Sequence, residues 1–469
     1  MNNQEEQFEV VIVGSGPAGV HVAYPLIKAG IKVAIVDGGL DSKKQDSELN
    51  EFPQSKLTKP GHYYYFVEKS SHVFNKTFEL LRIKSNIEVI QSLAKGGLSE
   101  VWHGICDFFS ENELKSIGLQ PNEIRKEYRE ISQLIHLNFR TPLDLHGKLL
   151  SEKAKRNTHK GNSIYQAPLV SSYRTSLIIE ELKKFKNFTY IANQLVDSVK
   201  EKENHVEIKS FSIDRKIEII TKATFLILAA GSINTTRIVM RSFKLYDYKT
   251  SFLTKANYVV PCFHLFSLGK KNNAKSSTHG QLVISGKEND LAVDSFFIQL
   301  YRLNIHFLDK ALTYIPIPRI ISLPLLSLVA PYLVIADIRF PAFESPTAFT
   351  QLKKEIDKKD TLEISFKESP DELLMHKKEY EKIKQQLWSL GLFPLRKIIG
   401  YTTSHYAGGI SKQKGPLSLN KDGRLTVADK IYIADASSWK MLPAKPPTMT
   451  IMANASRIGK NVLKRISHV

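Results

Sequence analysis

The sharpest hydrophobic pattern lies near the N-terminus. Phe8 to Val13 is a β-branched run closed by glycine and predicts a buried parallel strand. Ala18 to Lys28 carries helical spacing, with Pro25 inside it and Gly30 placed to end it. Ile31 to Val36 reads as a second strand ending at Asp37, so about thirty residues form a β-α-β unit. Residues 41–87 are polar and aromatic in patches and read as loops and a helix. Asn122 to Leu137 predicts an amphipathic helix, with Ile124, Tyr128, Ile131 and Ile135 on one face.

Residues 140–172 are basic and loop-like, and Arg174 to Lys184 is helical. Phe188 to Ile220 alternates apolar and polar positions and predicts a small antiparallel sheet. Phe225 to Ala230 again has the texture of a buried parallel strand, followed by Gly231 and a helix from Thr235 to Arg241. Residues 241–397 differ, with alternating strands and a proline-interrupted apolar stretch from Ala311 to Ile338. Asp371 to Leu390 predicts a helix set between Pro370 and Gly391. Ile431 to Ala434 is a last core strand and Thr448 to Ile466 a last helix. There is no internal repeat.

The turn Gly14-Ser-Gly16-Pro17-Ala18-Gly19 sits between the first strand and helix, where a dinucleotide is held. Gly14 permits the tight turn, Gly16 lets the backbone approach a pyrophosphate, and Gly19 lets helix and strand pack closely. The helix N-terminus offers unpaired N–H groups to the phosphates. Asp37, at the end of the second strand, can accept from both ribose hydroxyls. An acid there disfavours a 2′-phosphate, so NAD or FAD is expected over NADP.

Three further segments change the picture: Ala94-Lys-Gly-Gly-Leu-Ser-Glu-Val-Trp-His-Gly104, Thr224 to Arg237 around Ala229-Ala230-Gly231, and Lys430-Ile-Tyr-Ile-Ala-Asp-Ala-Ser-Ser438 continuing to Ala455. In this order, together with the N-terminal fingerprint, they resemble the glucose-methanol-choline (GMC) family of FAD oxidoreductases over roughly half of the chain. The middle, residues 241–397, resembles nothing identifiable.

The resemblance implies an α/β fold: a Rossmann-like FAD domain of glutathione-reductase type from residues 1–240 and 398–469, with an inserted mixed α+β substrate domain at 241–397. It implies that Gly96, Gly97 and Ser99 wrap the flavin's pyrophosphate and ring edge, with Trp102 near the isoalloxazine. Some relatives attach FAD through a His before the matching Trp; Val101 stands there, so FAD is expected to be non-covalent. Val196 matches the residue whose backbone meets adenine. Ala230 and Gly231 fall in the second glycine turn, and Asp435 and Ala436 in the block near the ribityl and pyrophosphate groups. Pro447 and Thr448 open a helix aimed at the flavin edge where charge gathers on reduction.

Oxidising an alcohol at a flavin requires a base for the hydroxyl proton, and imidazole suits it. The family block matching Ser404 to Gly408 makes His405 the expected base. The usual second Asn or His is replaced by Pro446. Adjacent Lys445 is either a cation near the flavin N1 edge or a solvent-facing lysine.

Composition adds limits. The chain has 469 residues, 42% apolar and 24% charged, which suits a globular protein of two or three domains. Two cysteines, Cys106 and Cys262, exclude a disulfide framework or a Cys-rich zinc site, and no metal is expected. No signal-peptide pattern is visible at the N-terminus, so the expected location is cytoplasmic. The net charge is +19, from 66 Lys and Arg against 47 Asp and Glu. With no zinc finger or RNP-like run, nucleic acid is not an expected partner. An anionic membrane surface or an anionic substrate is compatible with the charge.

The Ala311 to Ile338 stretch tempts a membrane-span reading, but Pro316, Pro318, Pro324, Pro331 and Arg319 oppose a regular spanning helix. It is expected to be buried in the substrate domain, or else to dip into one leaflet so that the protein sits peripherally on the inner face of the membrane. The expected function is FAD-dependent oxidation of a small-molecule alcohol, a sugar, polyol or amphiphilic alcohol, with hydride passing to flavin N5. The alternatives are a redox-neutral flavin-dependent isomerase or mutase on a sugar, and a non-catalytic membrane-associated flavin-binding protein.

Overall fold

The computed structural model describes residues 7–40, 80–102, 104–156, 162–170, 173–270, 282–287, 292–303, 317–354, 360–400, 404–410 and 417–467. Residues 41–79 of the segment expected to hold loops and a helix lie outside the described residues, as does His103.

The N-terminal run forms β1 (Gln7–Val13), which leads through the glycine turn into α1 (Pro17–Lys28) and on to β2 (Val33–Val36). β1 pairs in parallel with β2 on one edge and with the strand Glu218–Leu228 on the other. The strand Phe188–Ile191 adds in parallel outside β2. It therefore belongs to the parallel part of this sheet and not to the small antiparallel sheet expected for it. The remaining strands of that region, Gln194–Glu201 and Val206–Ser212, do pair antiparallel.

Glu218–Leu228 is one long strand with two textures. Its first half pairs antiparallel with Val206–Ser212 and alternates burial. Its last residues pair in parallel with Ile431–Ile433 and are fully buried. The C-terminal strand thus inserts into the sheet begun by the N-terminal one. The final helix, Thr448–Ile466, packs on α1, burying Ala455, Ile458 and Val462 with Val20, Val22 and Leu26. A Cβ at Gly459 would lie 2.5 Å from the Val22 carbonyl oxygen, so only glycine permits this approach.

A second sheet is antiparallel throughout, in the order Leu392–Pro394, Asn257–His264, Leu333–Arg339, Asp294–Arg302, Leu282–Lys287 and Asn162–Gln166. One face buries Tyr258, Val260, Ile298 and Ile338 under the helix Pro370–Ser389. That helix starts at a capping box between Ser369 and Glu372 and stops at Gly391. By strand alternation the other face carries Asn257, Val259, Gln299, Asp337 and Arg339. A third, smaller sheet joins Ile83–Ser85, Asp360–Phe366, Ala348–Lys354 and Lys249–Ser251.

The basic segment 140–172, expected as loop, contains the helix Leu145–Arg156 and the edge strand Asn162–Gln166. Residues 311–316 of the proline-rich apolar stretch lie outside the described residues, and the remainder splits in two. Arg319–Val329 is a helix with much of its surface exposed, and Leu333–Arg339 is a buried strand.

Candidate flavin and alcohol site

Three glycine turns converge at the start of α1. Gly14 has φ +100°, and a Cβ there would lie 2.5 Å from the Ala229 carbonyl oxygen, which locks the first turn against the Ala229-Ala230-Gly231 turn. A Cβ on Gly19 would fall 1.9 Å from the Gly14 carbonyl oxygen. Gly16 differs, since a Cβ there would meet nothing within 4 Å. Gly14 and Gly19 are therefore glycines because protein is too close, and Gly16 faces open space. Gly16 is also the N-cap of α1 without a side-chain cap, with Pro17 at the first helical position and Ala18 buried behind it. The helix presents bare N–H groups to that space.

The Gly96-Gly97 turn closes over this one. A Cβ on Gly97 would be 3.6 Å from Gly16 Cα, and Gly96 donates its N–H to Ser15 Oγ at 2.9 Å. Ser15 Oγ in turn donates to Asp37, as does the Tyr190 hydroxyl at 2.9 Å. Burial pushes the Asp37 carboxyl above the usual carboxylate range, and these hydrogen bonds offset part of the rise. Ser99 lies within the turn itself. It is buried, with Oγ donating to the Gly96 carbonyl at 2.8 Å and meeting Thr175 Oγ1 at 2.7 Å. It holds the glycine turn to the helix Thr175–Leu182. Trp102 is half-buried, edge-on to Tyr173 at 5.6 Å.

Val196 sits inside the strand Gln194–Glu201, 3% exposed, and its carbonyl accepts from Arg237 Nη2 at 2.9 Å. That carbonyl is thus engaged by the protein itself. Asp435 is buried at the end of the C-terminal strand. One oxygen accepts from the Gly231 N–H at 3.0 Å and from Thr235 Oγ1, and the other from the Ser437 N–H. It fastens the second glycine turn to the end of the strand Ile431–Ile433. Burial pushes its carboxyl up, and the Ser437 and Thr235 bonds pull it back. Gly231 itself has φ +82° and open space at its Cβ position.

His405 lies on a strained turn. Ser404 has φ +56°, a left-handed conformation rare for a residue with a side chain. Beyond it Tyr406–Ala407 pairs with Leu253–Thr254, so Lys255 follows opposite His405. The segment is pinned onward: Gly408 N–H donates to Ala436, Ile410 N–H to Ser437, and Ser232 Oγ to the Gly408 carbonyl. The segment that follows His405 is thus tied to Ala436 and Ser437, next to Asp435, and to Ser232, next to Gly231. Burial holds its imidazole well below the ordinary histidine range, and the charges of Lys255 and Arg339 add to this, so it is neutral near pH 7.

Lys445 is buried, which overturns its solvent-facing reading. Its Nζ lies 3.1 Å from both Glu113 and Asp294. Burial pulls the ammonium down, but the carboxylates of Glu113, Asp294 and Asp107 more than reverse that and leave it raised. Glu113 arrives on the helix Glu111–Ser116, whose capping box it shares with Ser110. The carbonyls of Ala444 and Lys445 both accept from Lys255 Nζ, at 3.1 and 2.6 Å. Lys255 therefore bridges the His405 turn to the residues just ahead of Pro447, the N-cap of the final helix, and Thr448, its first residue.

No family model matches the chain, and no curated protein matches it. Among solved structures it superposes on the crystal structure of pyridoxine 4-oxidase from Mesorbium loti, with a TM-score of 0.67 over 97% of this chain and 99% of that one. The fold is shared with that oxidase. The sequence identity is 12%, so the likeness is one of fold. Lys255, Arg339, Ser15, Tyr190 and Glu113 join the site in the structure without having been expected from the sequence. Of these only Glu113 carried a readable signal, the Ser-x-x-Glu spacing of its capping box.

Proposed function

We propose that the chain is a flavoprotein of the glucose-methanol-choline type that holds FAD non-covalently and oxidises an alcohol. One observation carries the reading: the open glycine cradle at α1 and the strained His405 turn are fastened to the same strand ends, through Asp435 and Gly408. The residues present fit the cofactor. Gly16 leaves room at an uncapped helix N-terminus for a pyrophosphate. Asp37, already oriented by Ser15 and Tyr190, has the chemistry to accept from ribose hydroxyls. The final helix, with no side-chain cap at Pro447, supports negative charge ahead of Thr448.

When bound, FAD supplies the hydride acceptor. His405, neutral at working pH, takes the substrate's hydroxyl proton on its imidazole. Pro446 offers no polar side chain, so the second role passes to Lys255, which stands beside His405 and can orient the substrate oxygen. Lys445 acts as a positioning residue that anchors the segment ahead of the final helix through Glu113 and Asp294.

The test is anaerobic addition of alcohols, polyols and sugars to the flavin-loaded protein, followed by flavin absorbance. One substrate class is expected to bleach the flavin. His405→Ala is expected to bind flavin normally and bleach at least about 100-fold more slowly. Failure to take up FAD would reject the cofactor, and equal bleaching in His405→Ala would reject the base. Sugar conversion that needs reduced flavin without consuming it would favour the isomerase reading.

A further inference from the structure

The far end of the second sheet carries an apolar surface that the described protein leaves uncovered. The helix Arg319–Val329 packs Leu326 toward Leu333 and Ile335. Elsewhere on it, Ile320 is 77% and Leu328 72% exposed, and Ile321 and Leu325 are about half exposed. The neighbouring strands extend the patch. Phe393 pairs with Phe263, Leu395 donates its N–H to Pro261, and both side chains face solvent. The turn that continues Asn257–His264 exposes Leu265, Phe266 and Leu268. Half-exposed side chains of this size leave on the order of 80 Å² each, so these nine reach about 700 Å², beyond the roughly 300–600 Å² of a typical monomer's largest patch.

The rim is cationic. Lys153 Nζ lies 5.0 Å from the centre of the Phe266 ring, in the last turn of a helix that also ends in Lys155 and Arg156. Burial holds the His264 and His146 imidazoles down, and the nearby charges of Lys270 and Arg302 add to it, with the buried Asp144 opposing it at His146. Arg396 follows Leu395 and is exposed, while Glu152 is the exposed acid on the helix Leu145–Arg156. A second copy of the chain packed here about a two-fold axis would set this rim against itself. An anionic surface matches both the rim and its apolar centre.

We propose that this face docks on an anionic lipid bilayer, with the Arg319–Val329 helix lying in the headgroup region and Ile320, Ile321, Leu325 and Leu328 entering the leaflet. Eleven helical residues span about 16 Å, too short to cross the hydrocarbon core. No helix among the described residues is long and apolar enough to do so. The strand Asn257–His264 runs about 25 Å from the side of Lys255 to the docking face, so docking leaves the candidate flavin site uncovered.

The test is co-sedimentation of the flavin-loaded full chain with vesicles of phosphatidylcholine alone or with about one-third phosphatidylglycerol. Binding to the anionic vesicles is expected at about 0.1 M salt and a large loss of it at about 1 M, where the screening length falls from about 10 to about 3 Å. The double variant Ile320→Ser/Leu328→Ser is expected to weaken binding about tenfold or more with flavin content and thermal midpoint unchanged, since both side chains are exposed. Equal or absent binding to the two vesicle types would overturn the proposal. So would wild-type binding by the double variant, or a concentration-dependent dimer that the same variant abolishes, which would make the face a contact between copies. Flavin reduction by alcohol is read separately, so the docking and the chemistry stand or fall independently.

Discussion

The glycine cradle makes a prediction that separates folding from cofactor binding. Gly16 has φ −67°, which alanine adopts freely, and nothing lies within 4 Å of the added Cβ. In the apoprotein Gly16→Ala loses an N-cap preference of about 0.5–1 kcal/mol and regains about 0.4–1 kcal/mol by restricting the unfolded chain. The two nearly cancel, so the apoprotein's thermal midpoint is expected to stay within about 2 °C of wild type. On the proposed reading the methyl group stands where the pyrophosphate approaches, and losing that close contact is expected to cost about 2–4 kcal/mol, or about 30- to 1,000-fold in FAD affinity.

Gly19→Ala has the opposite profile. Its Cβ would fall 1.9 Å from a backbone oxygen, which forces the strand–turn–helix apart and destabilises the apoprotein by about 3 kcal/mol or more. The assays are differential scanning fluorimetry of both apoproteins and FAD titration followed by flavin fluorescence. Wild-type FAD affinity in a stably folded Gly16→Ala protein would refute the cradle, and a Gly19→Ala protein of normal stability would refute the packing of the turn.

Lys445→Met strands Glu113 and Asp294 as buried carboxylates and is expected to lower stability in urea by about 3–5 kcal/mol, partly recovered by adding Glu113→Gln; a shifted flavin potential at unchanged stability would instead place the lysine on the cofactor. Ser404→Gly relieves a left-handed backbone, so its thermal midpoint is expected to rise by about 1–2 °C while alcohol-driven flavin reduction slows; a drop in midpoint would refute the strain. His21, hydrogen-bonded to Tyr173, is held neutral by burial, its imidazole lowered to about 3. Below about pH 6.5 the unfolded chain takes up a proton that the folded protein refuses, so this contribution is present at pH 7 and lost on acidification. The stability gap between wild type and His21→Gln is expected to move against wild type by about 2 kcal/mol between pH 7 and 5, measured by urea unfolding, and a constant gap would contradict the assignment.

The two ends of the chain were legible because their strands are buried on both faces and read as unbroken apolar runs punctuated by glycine. The long strand Glu218–Leu228 was legible only in its second half. Its first half carries Lys222 and alternates because that part pairs with strands that face solvent on one side. The helix Leu145–Arg156 was hidden for a related reason: its buried residues are His146, Gly147 and Leu150, too few for an apolar stripe. His405 stood out by its place in a motif, while its partner Lys255 did not. Their adjacency comes from a two-residue pairing between segments far apart in sequence, and no local pattern records that. Whether Lys445 was a buried cation or a surface lysine was not legible, because the carboxylates that bury it come from a separate helix and a separate strand.

The insertion of Ile431–Ile433 beside Glu218–Leu228, and the seating of the final helix on α1, also fix when this protein can fold. At about 5–20 residues per second, the roughly 420 residues from the end of α1 to the final helix take on the order of half a minute to a minute and a half to synthesise. For nearly all of that time β1 and α1 lack the partner that covers Val20, Val22 and Leu26. The nascent chain therefore carries an unsatisfied apolar helix face until Thr448–Ile466 leaves the ribosome, and a chain broken off before Thr448 is a substrate for holding chaperones and proteases and not a smaller version of the protein.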